Sequence, residues 1–194
     1  MLILASRSPR RSALLHQLGV PHQIAPSGVE ERRAEGEAPE DYAERLAREK
    51  ALDVSRSHDP EGSLAALGAD TIVVVGEEIL EQPRDDEDAF RMLSRLSGRA
   101  HRVITGVALA RGGAVLGSLA SVTEVRFRAL SEGEIRRYIA AGEGRDKAGS
   151  YGVQGLGGGL VEGIHGDYGT VVGLPLALTL ALLKEHGVIE SWPL

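Results

Sequence analysis

The run Leu2-Ile3-Leu4-Ala5-Ser6-Arg7-Ser8-Pro9-Arg10-Arg11 decides how this chain is read. Residues 2–5 are a short apolar segment and read as a strand. Residues 9–18 read as a helix, with Leu14, Leu15 and Leu18 on one face and Gly19 as its stop. Ser8 suits the N-cap, and Pro9 suits the first helical position because it has no amide hydrogen to leave unpaired. The free backbone N–H groups at such a helix start attract anions, and the helix dipole adds to that pull. Arg7, Arg10 and Arg11 add forked donors that match phosphate geometry. Two readings stand at this point: a polyphosphate site, or a plain capped helix with solvated arginines.

Working outward, residues 22–25 read as a second short strand, and the polar stretch 27–37 has no periodicity and reads as a loop. Residues 39–55 read as a helix because Tyr42, Leu46, Lys50 and Val54 recur every four positions. Within 64–75, Ala69-Asp70-Thr71-Ile72-Val73-Val74-Val75 carries a buried-strand signal, followed by a short strand at 78–80. Residues 85–96 read as a helix with acidic residues in its first turn and Arg91 and Arg95 later, which suits the dipole. Two β-rich runs, 101–110 and 115–128, flank Gly112-Gly113 and read as a hairpin. Ser131 and Glu134 form a capping-box pattern at the start of another helix. The stretch 142–159 is glycine-rich, 160–172 reads as a strand pair, and 175–186 reads as the last helix. Strand–helix alternation at both ends of an antiparallel centre predicts an α/β fold with an elongated mixed sheet flanked by helices.

Composition sets the outer bounds. A chain of 194 residues with 42% hydrophobic and 26% charged residues reads as one globular domain, 1–194. It has no cysteine, which excludes a disulfide framework, a thiolate nucleophile and a Cys-ligated zinc site. The net charge of -6 disfavours a nucleic-acid coat or a polybasic membrane surface, and 4% aromatics leave few stacking platforms for single strands. No apolar run approaches the ~18 residues of a membrane span. The opening run is short for a signal peptide and lacks a basic lead, so a cytoplasmic protein is expected. The histidines at 16, 22, 58, 101, 165 and 186 show no i,i+4 pair on a predicted helix, a weak basis for a metal site or a Ser-His-Asp hydrolase.

Several residues could carry chemistry. Asp70, at the head of an apolar strand, either holds a hard divalent cation or acts as general base, or it caps a turn with Thr71. Glu30 and Glu31 are adjacent, so in an extended segment only one faces a site. Lys50 lies on the apolar face of its helix and either snorkels or reaches an anion. The segment Asp146-Lys147-Ala148-Gly149-Ser150-Tyr151-Gly152-Val153-Gln154-Gly155 combines glycines, which permit close backbone approach, with Gln154, which can read a base edge through donors and an acceptor. It is not a Walker loop, and Gly155-x-Gly157 lacks the strand–turn–helix setting of a dinucleotide fingerprint.

Taken in order, Ala5 to Arg11, Gly28-Val29-Glu30-Glu31, Leu46-Ala47-Arg48-Glu49-Lys50-Ala51, Gly68-Ala69-Asp70-Thr71, Asp146-Lys147-Ala148-Gly149, Tyr151-Gly152-Val153-Gln154-Gly155 and Val172-Gly173-Leu174-Pro175 resemble the Maf family of nucleoside triphosphate pyrophosphatases. The resemblance implies two lobes around a central cleft, similar to inosine triphosphate pyrophosphatase (Maf/Ham1-like). It implies hydrolysis between the α- and β-phosphates of a nucleoside triphosphate, with Mg²⁺ or Mn²⁺. Arg10, Thr71 and Gln154 match the branch that takes dTTP and UTP. The family's functional residues map onto Ser8, Arg10 and Arg11 for substrate, and onto Glu30, Lys50 and Asp70 for catalysis. On that resemblance Glu30 and Asp70 are expected to hold the metal, with Asp70 corresponding to the family's proton acceptor. A homodimer is implied as well. One position departs: most members have lysine before the proline at 83, where this chain has Gln82, with Arg84 two residues on as the candidate replacement. The family's older association with septum formation implies the alternative of a regulator of cell division.

Overall fold

The structure, a computed structural model, describes residues 2–193. The opening run folds as β1 (Leu2–Leu4), passes through α1 (Pro9–Gln17) and returns as β2 (His22–Ile24), parallel to β1 with Leu4 beside Ile24. The next crossover is α2 (Pro39–His58), with proline in its first turn, Glu40 and Asp41 beside it, and Arg56 and His58 in its last turn. It delivers β3 (Ala65–Val75) to the other flank of β1, again parallel, with Leu4 beside Leu67. The chain thus runs from β1 out to β2 on one flank and then crosses back to β3 on the other, so the direction of winding reverses beside β1. Such a switch point opens a crevice beyond the carboxyl ends of the strands.

β4 (Glu78–Leu80) folds back antiparallel on the end of β3. Then come α3 (Asp86–Leu96), β5 (Ala100–Arg111), β6 (Ala114–Phe127) and α4 (Glu132–Ala140). The Asp85 carboxylate accepts the Asp88 amide at the start of α3, and Ser131 with Glu134 completes the expected capping box on α4. The chain finishes with 3₁₀ turns at Ala148–Ser150 and Leu156–Leu160, β7 (Val161–His165), α5 (Tyr168–Val172) and α6 (Leu176–Glu185).

The strands form one seven-stranded mixed sheet in the order β2-β1-β3-β5-β6-β7, with β4 also on β3. The chain divides into two compact units: 1–70 with 105–121 and 173–194, and 71–104 with 122–172. The expectation of an α/β fold with a mixed sheet flanked by helices holds. In the first unit α2 lies on the sheet through a seam of small residues, Ala47, Ala51, Ala108 and Ala110. The approach is so close that a Cβ at Gly68 would overlap the Ala47 carbonyl and one at Gly106 would overlap the Ala43 carbonyl. The second unit is built on Leu80, Met92, Leu93, Leu96, Val103, Phe127 and Tyr151. Each large apolar side chain buried this way contributes roughly 1.5–3 kcal/mol.

Two expectations change. Residues 160–172 are one strand and one helical turn rather than a strand pair. Asp167 accepts the Thr170 amide at 2.8 Å, and this turn bond starts α5 where alternation suggests a second strand. Asp70 lies in the middle of β3 rather than at its head, because Ala65 to Ala69 are all buried and extend the strand backwards. Among the described residues no helix is long and apolar enough to cross a membrane.

Candidate active site

β1 ends at Leu4, and the Ala5 amide still donates to the Leu67 carbonyl at 2.8 Å, so the turn into α1 departs beside β3. Ser8 occupies the N-cap position of α1, but its side chain makes no cap bond. The free amides of the first turn are therefore not taken up by that hydroxyl. Arg11 is held at both ends of its guanidinium: Nε donates to the Gly173 carbonyl at 2.9 Å and Nη1 to Ser6 Oγ at 3.0 Å. Ser6 Oγ also accepts the Ser8 amide at 3.2 Å. Burial pulls the Arg11 guanidinium below its ordinary value, while the charges of Asp70 and Glu31 push it back up and Arg10 pulls it down. Arg10, Arg11, Asp70 and Glu31 therefore share one electrostatic neighbourhood.

Lys50 completes that neighbourhood. It sits on the buried face of α2, and its Nζ donates to Asp70 Oδ1 at 2.6 Å and to Glu31 Oε1 at 2.5 Å. The lysine and aspartate side chains are only 11% and 7% exposed, whereas that of Glu31 is 52% exposed. Of the two readings of Lys50, the structure takes the anion rather than the snorkel. Charge-assisted bonds at these lengths are the strong kind, and an ion pair this buried cannot lose one partner cheaply.

Glu30 is not part of the cluster. Its carboxylate pairs with Arg32 at 2.6 Å, with both side chains largely exposed. Alternation in the loop gives only one of the adjacent glutamates to the site, and the one turned inward is Glu31. Spacing alone offers no means of choosing between them.

Thr71 and Gln154 belong to the second unit. Thr71 follows Asp70 directly in β3 and is partly buried, and strand alternation gives it the opposite face of the sheet. Gln154 is exposed in the turn between Tyr151 and the 3₁₀ segment Leu156–Leu160. Tyr151 anchors the start of that turn. Its ring packs edge-on against Phe127 and His101, and its hydroxyl lies 2.9 Å from His101 Nε2. Burial pushes the Tyr151 phenol up and the His101 imidazole down, the latter to about 4. The segment is legible as glycine-rich, but its anchoring on His101 is not, because a lone histidine in a strand signals nothing. Gln82 is exposed, and Arg84 is engaged by Asp88 at 3.2 Å.

These features define a class: an α/β protein with arginines at a helix start and lysine-bridged carboxylates beside the carboxyl end of a parallel strand. The chain belongs to the Maf family; the family description "Maf-like protein" matches residues 1–186. It is 49% identical over 193 residues to a dTTP/UTP pyrophosphatase of Hahella chejuensis, spanning 98% of this chain and 94% of that one. A dTTP/UTP pyrophosphatase of Alcanivorax borkumensis is 49% identical over 193 residues, with 99% and 98% covered. A solved nucleoside-triphosphatase/dITP/XTP pyrophosphatase from Mycobacterium abscessus is 17% identical, with a TM-score of 0.41 over 99% of this chain and 97% of that one.

Proposed function

We propose that the chain, acting as one catalytic domain over 1–194, hydrolyses dTTP and UTP to the monophosphate and pyrophosphate. The observation that carries this reading is the Lys50 bridge between Asp70 and Glu31, in the same electrostatic neighbourhood as Arg10 and Arg11. Its setting in a chain about half identical to two dTTP/UTP pyrophosphatases supports the substrate.

A nucleoside triphosphate carries about four negative charges, so charge neutralisation and positioning dominate the barrier. Arg10, Arg11 and the α1 amides behind Ser8 would hold the phosphates. Asp70 would take a proton from the attacking water as its oxygen bonds to the α-phosphorus. The α–β anhydride bond then breaks and pyrophosphate leaves with the bond electrons. Lys50 holds Asp70 by Oδ1 and so fixes the direction of that carboxylate. Thr71 and Gln154 would read the pyrimidine edge.

The donor set suits Mg²⁺ or Mn²⁺. Among the described residues no group of three or more His, Cys, Asp or Glu forms a cage. However, Asp70 and Glu31 already converge on one cation, and Mg²⁺ is commonly bound by one or two carboxylates with phosphate oxygens and water. Asp70 would hold the ion with Glu31, and Glu30 would join only by leaving Arg32. The ion would supply charge neutralisation at the phosphates.

Nucleotide pools place such an activity in the cytoplasm, and a homodimer, with neither nucleic acid nor membrane as partner, completes the proposal. Sedimentation at several concentrations tests the dimer. No feature of the fold favours the regulator of cell division. The decisive assay is pyrophosphate release with Mg²⁺ or Mn²⁺ across dTTP, UTP, CTP, GTP, ITP and 7-methyl-GTP, with Asp70→Asn beside the wild type. Turnover of dTTP and UTP that vanishes in Asp70→Asn is expected. Turnover retained in the variant refutes the proton-acceptor role, and preference for another base refutes the substrate.

A further inference from the structure

An exposed loop residue can select a base only if its backbone is held, and the backbone around Gln154 is held by one carboxylate that no part of the reaction uses. Glu143, in the segment after α4, turns its side chain into the loop. Its Oε1 accepts the Leu156 amide at 2.8 Å, and its Oε2 accepts the Gly157 amide at 2.8 Å and the Tyr138 hydroxyl at 2.7 Å. The Tyr138 oxygen in turn accepts the Gly152 amide at 3.1 Å. The loop is thus pinned on both sides of Val153-Gln154-Gly155 to a single carboxylate–phenol pair, and the Gly158 amide closes the turn on the Gly155 carbonyl at 3.0 Å.

The pair is itself well founded. Tyr138 is 7% exposed in α4 and packs into the core of the second unit. Lys147 donates to the Glu143 carbonyl and, at 2.6 Å, to the Asp146 carboxylate, which ties down the segment that carries the acid. Burial pushes the Glu143 carboxyl up, but bonds from Tyr138, Gly157 and Leu156 outweigh it and hold it below the ordinary carboxylate value. The loop wraps so closely that a Cβ at Gly155 would overlap Glu143 Oε1, and one at Gly157 would lie 2.7 Å from the Tyr138 oxygen. The glycines that follow Gln154 are the condition for this wrapping.

We propose that Glu143 is a positioning residue for base selection: it fixes the loop that presents Gln154, with Tyr138 as its brace. This rests on the reading of Gln154 as a base-contacting residue. Glu143→Gln keeps the size of the side chain but turns one acceptor into a donor facing a donor, so the clamp loosens without a cavity.

The test is a double-mutant cycle between Glu143→Gln and Gln154→Ala, read as kcat and KM for dTTP, UTP, CTP and GTP. Amide hydrogen exchange at Leu156 and Gly157 is measured beside it. In Glu143→Gln, KM for dTTP and UTP should rise about tenfold, the equivalent of one lost hydrogen bond to a charged group, with kcat changed far less. The dTTP:GTP preference should fall towards that of Gln154→Ala, the double variant should be no worse than Gln154→Ala alone, and both amides should exchange faster. Should Glu143→Gln fail to fold, Tyr138→Phe removes only the bracing hydroxyl and must shift preference in the same direction. Effects that multiply in the double variant overturn the proposal, as does unchanged base preference alongside accelerated exchange. If Gln154→Ala by itself leaves base preference intact, the underlying reading of Gln154 has failed, and the single variant reveals it.

Discussion

His101 is 3% exposed in β5, and burial alone pushes its imidazole from 6.5 down to about 4. Its Nδ1 is buried without a partner among the described residues, so a proton added there meets no acceptor. The folded state therefore binds fewer protons than the unfolded chain between these two values. The stability so contributed is complete above about pH 6.5 and is lost as the pH falls towards about 4. Each pH unit between the folded and unfolded values is worth about 1.36 kcal/mol, so the whole effect is about 3 kcal/mol, of which about 2.5 kcal/mol is gone by about pH 4.5. The carboxyls of Glu37 and Asp88 are held down to about 2 by Arg45 and Arg84, so their losses fall mostly at lower pH. The assay is urea unfolding of the wild type and His101→Gln from about pH 6.5 to about pH 4.5. Glu78, Glu134 and Glu143, also held below the ordinary carboxylate value, begin to lose their contribution near pH 4.5 in wild type and variant alike, so the difference between the two proteins isolates the histidine. Glutamine can still bond the Tyr151 hydroxyl but does not titrate. The wild type should lose about 2 kcal/mol relative to the variant across that interval. Parallel curves for the two proteins would refute the argument and mean that His101 charges within the fold.

Two more outcomes follow from the site. Lys50→Met keeps the stem but leaves the buried Asp70 carboxylate without its ion-pair partner. Denaturant unfolding should show a loss of about 3 kcal/mol, at the lower end for a broken buried pair because the Arg11 charge still acts on Asp70, and a loss under about 1 kcal/mol would contradict the burial argument. Gln82→Lys should leave kcat for dTTP undiminished, since position 82 is exposed and Arg84 is already engaged by Asp88; a collapse of kcat would show that another group occupies the place of the family's usual lysine.

Most of the fold can be read along the chain because its elements announce themselves locally. Pro9 and Pro39 mark helix starts, Ser131 with Glu134 marks another, and the valines after Thr71 mark the inner strand. Residues 160–172 mislead because Val161, Ile164, Val171 and Val172 suit a strand as well as a helix, and the Asp167–Thr170 bond that opens the helical turn leaves no mark in the apolar pattern. The site is legible in kind and incomplete in detail. Lys50 stands out as a charge in an apolar stripe, and Asp70 as a charge in an apolar strand. Which of two adjacent glutamates turns inward depends on the path of an irregular loop, and periodicity carries no information there. Glu143 and Tyr138 escape a reading of the chain for the same reason: their partners are loop amides, which no side-chain pattern reveals.

The bare contact of α2 on Gly68 and Gly106 bears on how the site tolerates change. Lys50 rides on that helix, and Asp70 lies two residues past Gly68 on the strand beneath. Between them the layers meet carbonyl against α-carbon, with no rotatable side chain to act as a spring. Protein interiors yield first where side chains can switch rotamer, and here nothing can switch. The separation of the two backbones that carry Lys50 and Asp70 is accordingly set like a machined spacing. It should hold steady through warming and through drift in the surrounding apolar residues, and it should be lost abruptly when a single methyl group is added at either glycine.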